Sequence, residues 1–342
     1  MRRLPDVEFV VYEPSDCRVA SLLGEVQNVS AKRTHLTSEG RALRFIRGLH
    51  YWRPELARER FDLIDWLTLP VVKNPADRIV LTVHDIRRLQ PEYGGLEQAV
   101  YRRVLQHSLK SADRVVTVSE AMKKEMLDFH PGISISVVYN GLDASWFEQI
   151  PSSELQQVRQ KLGLPAEFIL AVGHFEKRKN YWRLVDAIER LRDRGSSCSL
   201  VIIGNDSGEK RTIEDRIVSA RLTDRVKIFS GLGDFELRCV YGLSSLFVFP
   251  SLYEGFGIPI LEAMATRRPM ALSDIPVFRE ITQNQSVYFV PIDVESMVAG
   301  IELALHSEQE RSRMVEFGSK RVQDFGFGTI AAEIERVYRS ML

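Results

Sequence analysis

Cysteine is scarce in this chain of 342 residues. Cys17, Cys198 and Cys239 are odd in number and far apart, which excludes a disulfide framework and any cysteine pair at metal-ligand spacing. Buried thiols in a reducing compartment are the expectation. Excess charge of one sign is also missing. Lys and Arg number 46, as do Asp and Glu, so no overall field draws in nucleic acid. Long apolar runs are absent too. "SLFVFPSLY" is among the longest, well short of the roughly 18 residues of a membrane span. The opening "MRRLPDVEFVVYEPSD" is too short and too acidic for a signal peptide. These absences predict a cytoplasmic protein, at most peripheral on a membrane. No low-complexity segment or fixed-period repeat interrupts it.

What is present is a regular alternation. In the second half, "EFILAVGH" (167–174), "CSLVIIG" (198–204), "RVKIFSG" (225–231), "SLFVFPS", "PMALSD" and "SVYFV" read as short strands separated by helical patterns. Nearly continuous apolar strands between helices predict a parallel sheet covered on both faces. The first half repeats the signal at 6–13, 78–85, 114–119 and 135–141, with helices at 95–111 and 119–129. Residues 141–166 carry no strong strand signal, and the domain boundary is placed there. The expected fold class is α/β, with two Rossmann-like domains over 1–150 and 151–325 facing a cleft. Segment 41–60 holds six arginines, two glutamates and interleaved Phe45, Tyr51 and Trp52. It reads as a solvated helical face stopping near Pro54, or as a surface for anionic lipid.

Ligands of open α/β sheets bind at the carboxyl ends of strands. Four stretches stand there: His84–Asp85, Gly173 to Asn180, Gly231–Leu232, and "SLYEGFGIPILEAMA" (251–265). In the last, Gly255 and Gly257 feed a helix whose free N–H groups and dipole favour an anion such as a diphosphate. Glu254 precedes that helix and is poorly matched to a phosphate; sugar hydroxyls suit it better. Glu262, about one and a half turns in, can accept both hydroxyls of a ribose. An N-terminal acid and an exposed helical Glu would explain each glutamate singly, but not the glycines and proline between them. In "GHFEKRKN" (173–180), Lys177, Arg178 and Lys179 face a helix start and oppose its dipole unless an anion compensates. A solvated charge run is the plainer account of them. His84, alone at a strand end, is more often structural than catalytic.

Together these residues resemble the retaining glycosyltransferases of the GT-B fold, family GT4, nearest the bacterial mannosyl- and rhamnosyltransferase-like members that build O-antigen, other lipopolysaccharide and exopolysaccharide. "FPSLYEGFGIPILEAMA" matches the family's E-x7-E motif, "ILAVGHFEKRKN" its "LyvGtlepRKN" loop, and "LTVHDIRRLQPEY", "ADRVVTVSEAMKKEM" and "VVYNGLDASWF" its N-domain strands and crossover. The resemblance runs from about residue 60 to the end. It implies a nucleotide-diphosphate sugar as donor, with GDP-mannose the leading candidate, and a glycan or lipid-linked acceptor. Arg178 and Lys179 would neutralise the leaving diphosphate, helped by the amides of Phe256, Gly257 and Ile258. Glu262 would hold the ribose, Glu254 and His84 the donor sugar. Gly231 and Leu232 would lie near the base, with Gly173 and Asn180 shaping the donor loop. No metal or cofactor is implied, since side-chain cations and the helix dipole supply the charge. The last helix, 326–342, would cross back onto the first domain.

This sequence departs from the family in three places. It begins where the family's first helix would end, so a first strand and glycine-rich loop are expected to be lacking. His174 stands where many relatives have arginine, and Arg267 where they have glycine. A nucleotide-sugar-binding protein without turnover is the non-enzyme alternative. An epimerase or a phosphorylase is the alternative chemistry on this fold. A dehydrogenase is disfavoured, because no G-x-G-x-x-G follows a strand.

Overall fold

The computed structural model describes residues 1, 4–16, 26–37, 41–73 and 78–342. The chain divides into two compact units. One comprises Met1–Val118, Met122–Val138 and Ile330–Leu342; the other comprises Ser119–Ala121 and Tyr139–Thr329.

The first unit contains β1 (Phe9–Glu13) paired in parallel with β2 (Val29–Arg33). A parallel sheet follows in the order β3 (Ile64–Trp66), β4 (Ile79–Val83), β5 (Arg114–Thr117), β6 (Ile135–Val137). Its central strand β4, "IVLTV", is almost wholly buried, as a two-faced parallel sheet requires. Helix α1 spans Arg41–Arg58, α2 Gly95–Ser111 and α3 Glu120–Phe129. The reading that the helix stops near Pro54 is corrected: Pro54 lies inside α1. Proline forfeits one helical hydrogen bond, but the turn beyond it is anchored. Leu56 is buried, and the Tyr12 hydroxyl donates to Glu55 Oε1 at 3.2 Å and Glu59 Oε2 at 3.3 Å.

The main segment of the second unit starts at Tyr139, so by contact residues 139–150 group with it. The cause is packing: Trp146 is buried with its ring edge against Tyr241, centroids 5.6 Å apart. Then come α4 (Ser152–Leu162), β7 (Phe168–Val172), α5 (Tyr181–Asp193), β8 (Ser199–Ile203), α6 (Lys210–Ser219), β9 (Val226–Phe229) and α7 (Asp234–Leu243). The remainder is β10 (Leu246–Phe249), α8 (Ile258–Ala265), β11 (Met270–Ser273), α9 (Pro276–Ile281), β12 (Val287–Phe289), α10 (Val294–His306) and α11 (Glu308–Arg321). The six strands are all parallel in the order β12-β11-β10-β7-β8-β9. Strand order reverses between β7 and β10. That switch point opens a crevice at their carboxyl ends.

Helix α12 (Phe327–Arg339) closes the chain. Its Ile330, Ile334, Val337 and Tyr338 pack with Val80, Val116 and Val138 of the first unit's sheet. Tyr338 donates to Asp65 Oδ2 at 2.5 Å, and Arg339 grips the Asp6 carboxylate with two bonds of 3.2 Å. Burial pushes Asp65 above the ordinary carboxylate range despite the Tyr338 bond.

Helix α8 ends in a Schellman motif: Arg268 N donates to Ala263 O at 2.8 Å and Arg267 N to Met264 O at 3.1 Å. That geometry places Arg267 at φ 59°, left-handed space where a Cβ is strained. Arg267→Gly is therefore expected to raise stability by about 1 kcal/mol. In a thermal melt this reads as a gain of about 2 °C. An unchanged or lower midpoint would show that arginine contacts offset the strain.

Candidate functional site

The site grows from two loops that leave neighbouring strands. Strand β10, "LFVF", is completely buried, and its chain emerges at Pro250 in the crevice. Strand β7, "FILAV", emerges beside it at Gly173. A backbone bond from Leu252 N to Arg178 O, 2.8 Å, ties the loops together. Asn180 adds a second tie. It is fully buried at φ 60°, and its amide donates to Pro250 O at 3.0 Å and Pro291 O at 2.8 Å while its oxygen accepts from Arg183. Its side chain therefore fastens three loops, and any contact it makes with a ligand is left to its backbone.

Glu254 sits at the centre. Its Oε2 is 2.7 Å from Arg178 Nη1, and its Oε1 is 2.7 Å from Lys179 Nζ and accepts from Ser251 Oγ at 2.8 Å. Lys179 is nearly buried and stands over the Phe249 ring, 4.7 Å from its centroid. Arg178 donates from Nε to Glu176 Oε2 at 2.7 Å and from Nη1 to Tyr253 O at 3.1 Å. Two carboxylates and two cations thus share one poorly solvated cluster. Burial pushes Lys179 below its ordinary value, with the Glu254 charge acting against that shift. Burial acts in the raising direction on Glu254, but Lys179 and Arg178 outweigh it and hold this carboxyl below its ordinary range. Arg178 is desolvated too, yet the Glu254 and Glu176 charges raise its pKa, so it stays charged.

The turn into α8 completes this side. Gly257 has φ 119°, and a Cβ there would lie 3.1 Å from the Phe278 ring and 3.2 Å from Ile260, so only glycine fits. Among the described residues the N–H groups of Phe256, Gly257 and Ile258 make no hydrogen bond. Gly173 is crowded in the same way: a Cβ would lie 2.9 Å from the Tyr181 hydroxyl and 3.1 Å from Lys179 Nζ. Its φ of 147° and that crowding let Lys179 lie along the loop.

Glu262 projects from the first turns of α8. Among the described residues its Oε2 is buried without a hydrogen-bond partner. Burial pushes its pKa up to about 7; Tyr241 and Lys179 act to lower it and Asp234 to raise it. An orphaned buried carboxylate oxygen is costly. Asp234 begins α7, two residues after Leu232 and three after Gly231. Gly231 is exposed at φ 70°, its N–H donating to Asn205 Oδ1 at 3.2 Å, and Leu232 is half-buried. His84 lies in the first unit, exposed, one residue beyond β4. His174 is exposed just after Gly173.

Sequence reasoning missed two members of the site, Glu176 and Ser251. Both stand inside quoted motifs, and their signal was proximity: an acid two residues before Arg178 and a hydroxyl three before Glu254. A third, Gly204, is where β8 passes β7. A Cβ there would fall 2.0 Å from Gly173 O, so glycine is mandatory.

Two family models cover this chain: Glycosyltransferase Family 4 over residues 5–146 and Glycosyl transferases group 1 over residues 154–321. The chain belongs to these glycosyltransferases. Among curated relatives it is 30% identical over 237 residues to the O-antigen chain mannosyltransferase RfbU of Salmonella typhimurium, covering 69% of this chain and 62% of that one. It is 26% identical over 269 residues to O-antigen chain mannosyltransferase B of Escherichia coli, covering 77% and 70%. Similar solved structures include the sucrose-phosphate synthase of Thermosynechococcus elongatus, with TM-score 0.78 and 20% identity over 97% of this chain and 88% of that one. Anabaena HepE, solved in complex with UDP and glucose, gives TM-score 0.75 and 20% identity over 97% and 91%. The fold is GT-B: two α/β domains with parallel sheets. Among the described residues of this family member, no helix is long and apolar enough to cross a membrane.

Proposed function

We propose that the chain is a retaining, metal-independent glycosyltransferase that moves a sugar from a nucleotide-diphosphate donor to a lipid-linked or polysaccharide acceptor in surface-glycan synthesis. GDP-mannose is the leading donor, supported by relatives named as O-antigen mannosyltransferases. The observation that carries the reading is the switch-point cluster. Arg178, Lys179 and three unbonded amides supply positive charge beside an orphaned Glu262 oxygen.

The chemistry follows from these groups. The diphosphate lies against the start of α8 and the β7 loop, where amides and cations stabilise the charge that develops as the sugar–phosphate bond breaks. Glu262 accepts ribose hydroxyls, and Glu254 takes those of the donor sugar. The acceptor hydroxyl attacks from the face the diphosphate leaves, and the leaving phosphate takes its proton. Reaction takes place at the cytoplasmic face of the membrane, with the chain peripheral.

Calorimetric titration with GDP, UDP, ADP and dTDP tests this first. Selective binding of one, followed by EDTA-resistant transfer from the matching sugar with the anomeric configuration kept, is the expected result. Binding without transfer to any acceptor would support the non-enzyme alternative, and binding of none would end both readings.

A further inference from the structure

The roles assigned so far leave Glu176 unused, although it lies directly on Arg178. We propose that Glu176 is a positioning residue of the donor site: it fixes the guanidinium of Arg178 so that its free edge is presented to the diphosphate. The proposal rests on the glycosyltransferase reading and deepens it.

Arginine has a long side chain with much rotamer freedom to lose, and its value at an anion site depends on the planar fork being held in place. Arg178 sits on a single 3-10 turn, Lys177–Lys179, whose backbone is tied to Leu252 but does not set the direction of the guanidinium. Its side chain is only 12% exposed and is gripped on two edges. Nε donates to Glu176; Nη1 serves Glu254 and the Tyr253 carbonyl. Those bonds use three of the five N–H groups. Among the described residues Nη2 has no hydrogen bond or ion pair. A plane held at Nε and Nη1 cannot turn without breaking bonds on both edges, so the direction of Nη2 is fixed.

The two carboxylates are not equivalent. Glu254 comes from the other loop, and its oxygens face the work of binding sugar hydroxyls. Glu176 belongs to the same loop as Arg178, two residues away, and stays with it when Glu254 is engaged. A rival role is purely electrostatic: the Glu176 charge would damp the attraction of Arg178 for anions. Glutamine separates the two roles, since its amide oxygen accepts the Nε–H but carries no charge.

The test titrates the full chain, unaltered and as Glu176→Gln, Glu176→Ala and Arg178→Ala, with GDP and UDP and with guanosine and uridine. For the diphosphate that binds, Glu176→Ala is expected to weaken affinity about tenfold. Glu176→Gln is expected to stay within about threefold of the unaltered chain, and nucleoside affinity to be the same in all. A thermal melt of each variant checks that the fold is retained. Unchanged diphosphate affinity in Glu176→Ala, with Arg178→Ala impaired, would overturn the positioning role and leave the transferase reading intact. Tighter binding by both Glu176 variants would overturn it in favour of charge damping. Failure of the unaltered chain to bind either diphosphate would remove the reading and the proposal together.

Discussion

Replacing Lys179 by methionine is expected to cut turnover by about 10²- to 10³-fold while the chain stays folded. Lys179 places an ammonium 2.7 Å from Glu254 in a pocket closed by the Phe249 ring and the Gly173 backbone. In the role proposed for it, this desolvated cation would face the leaving diphosphate in low dielectric, where its effect on developing charge is largest. Methionine keeps most of the length and can still contact the aromatic ring but removes the charge. Glu254 then still has Arg178 and Ser251 as partners, so no buried carboxylate is orphaned. Glu254→Ala is the contrasting variant. It strips both cations of their shared partner, and breaking a buried pair from one side costs about 3–5 kcal/mol. A large fall in melting temperature should therefore accompany Glu254→Ala and be much smaller for Lys179→Met. If Lys179→Met turned over within threefold of the unaltered chain, the ammonium would be a structural counter-ion and nothing more.

The second unit was readable because each of its strands announces itself. "FILAV" and "LFVF" are unbroken apolar runs, and buried parallel strands leave no polar face to blur the period. The glycine-proline turn before α8 was equally plain, since backbone that must leave ordinary φ space selects glycine. Weaker elements were missed for physical reasons. Strand β2, "VSAKR", has exposed and half-buried positions only, and its pairing with β1 is a tertiary fact that its own residues do not encode. Strand β3 is three residues long with a half-buried Asp65, a composition that reads as loop until Tyr338 arrives from the chain end to satisfy it. Helix α4 carried a signal that went unread: Pro151 precedes it and Gly163 caps it at φ 58°. Within the site, residue types were legible but their pairing was not. Nothing in "YEGF" or "EKRKN" says that Glu254 takes both cations of the other loop, because that depends on β7 and β10 being neighbours at the switch point.

Glu262→Gln should move stability and ligand affinity in opposite directions. Burial, with Asp234 acting in the same direction, outweighs Tyr241 and Lys179 and raises the pKa of this carboxyl from the ordinary 4.5 to about 7. A carboxyl raised in the folded state favours folding while protonated. The penalty is therefore absent below about pH 4.5, grows between 4.5 and 7, and is complete above 7. A displacement of that size corresponds to roughly 3 kcal/mol. Glutamine carries no charge, so the variant should match the unaltered chain at pH 4.5 and exceed its stability by roughly 2–3 kcal/mol at pH 8, read from urea unfolding. Binding runs the other way. If Glu262 holds the ribose as proposed, its hydroxyls would donate to the ionised oxygen, so nucleotide affinity should rise about tenfold between pH 6 and 8 and binding should release a proton. Glu262→Gln should bind weakly at pH 8 and lose that slope. A variant that is more stable yet binds worse cannot be explained by misfolding, which is why the pair of measurements discriminates. Affinity and pH slope unchanged in Glu262→Gln would place the ribose elsewhere and leave Oε2 as a cost that the fold carries for another reason.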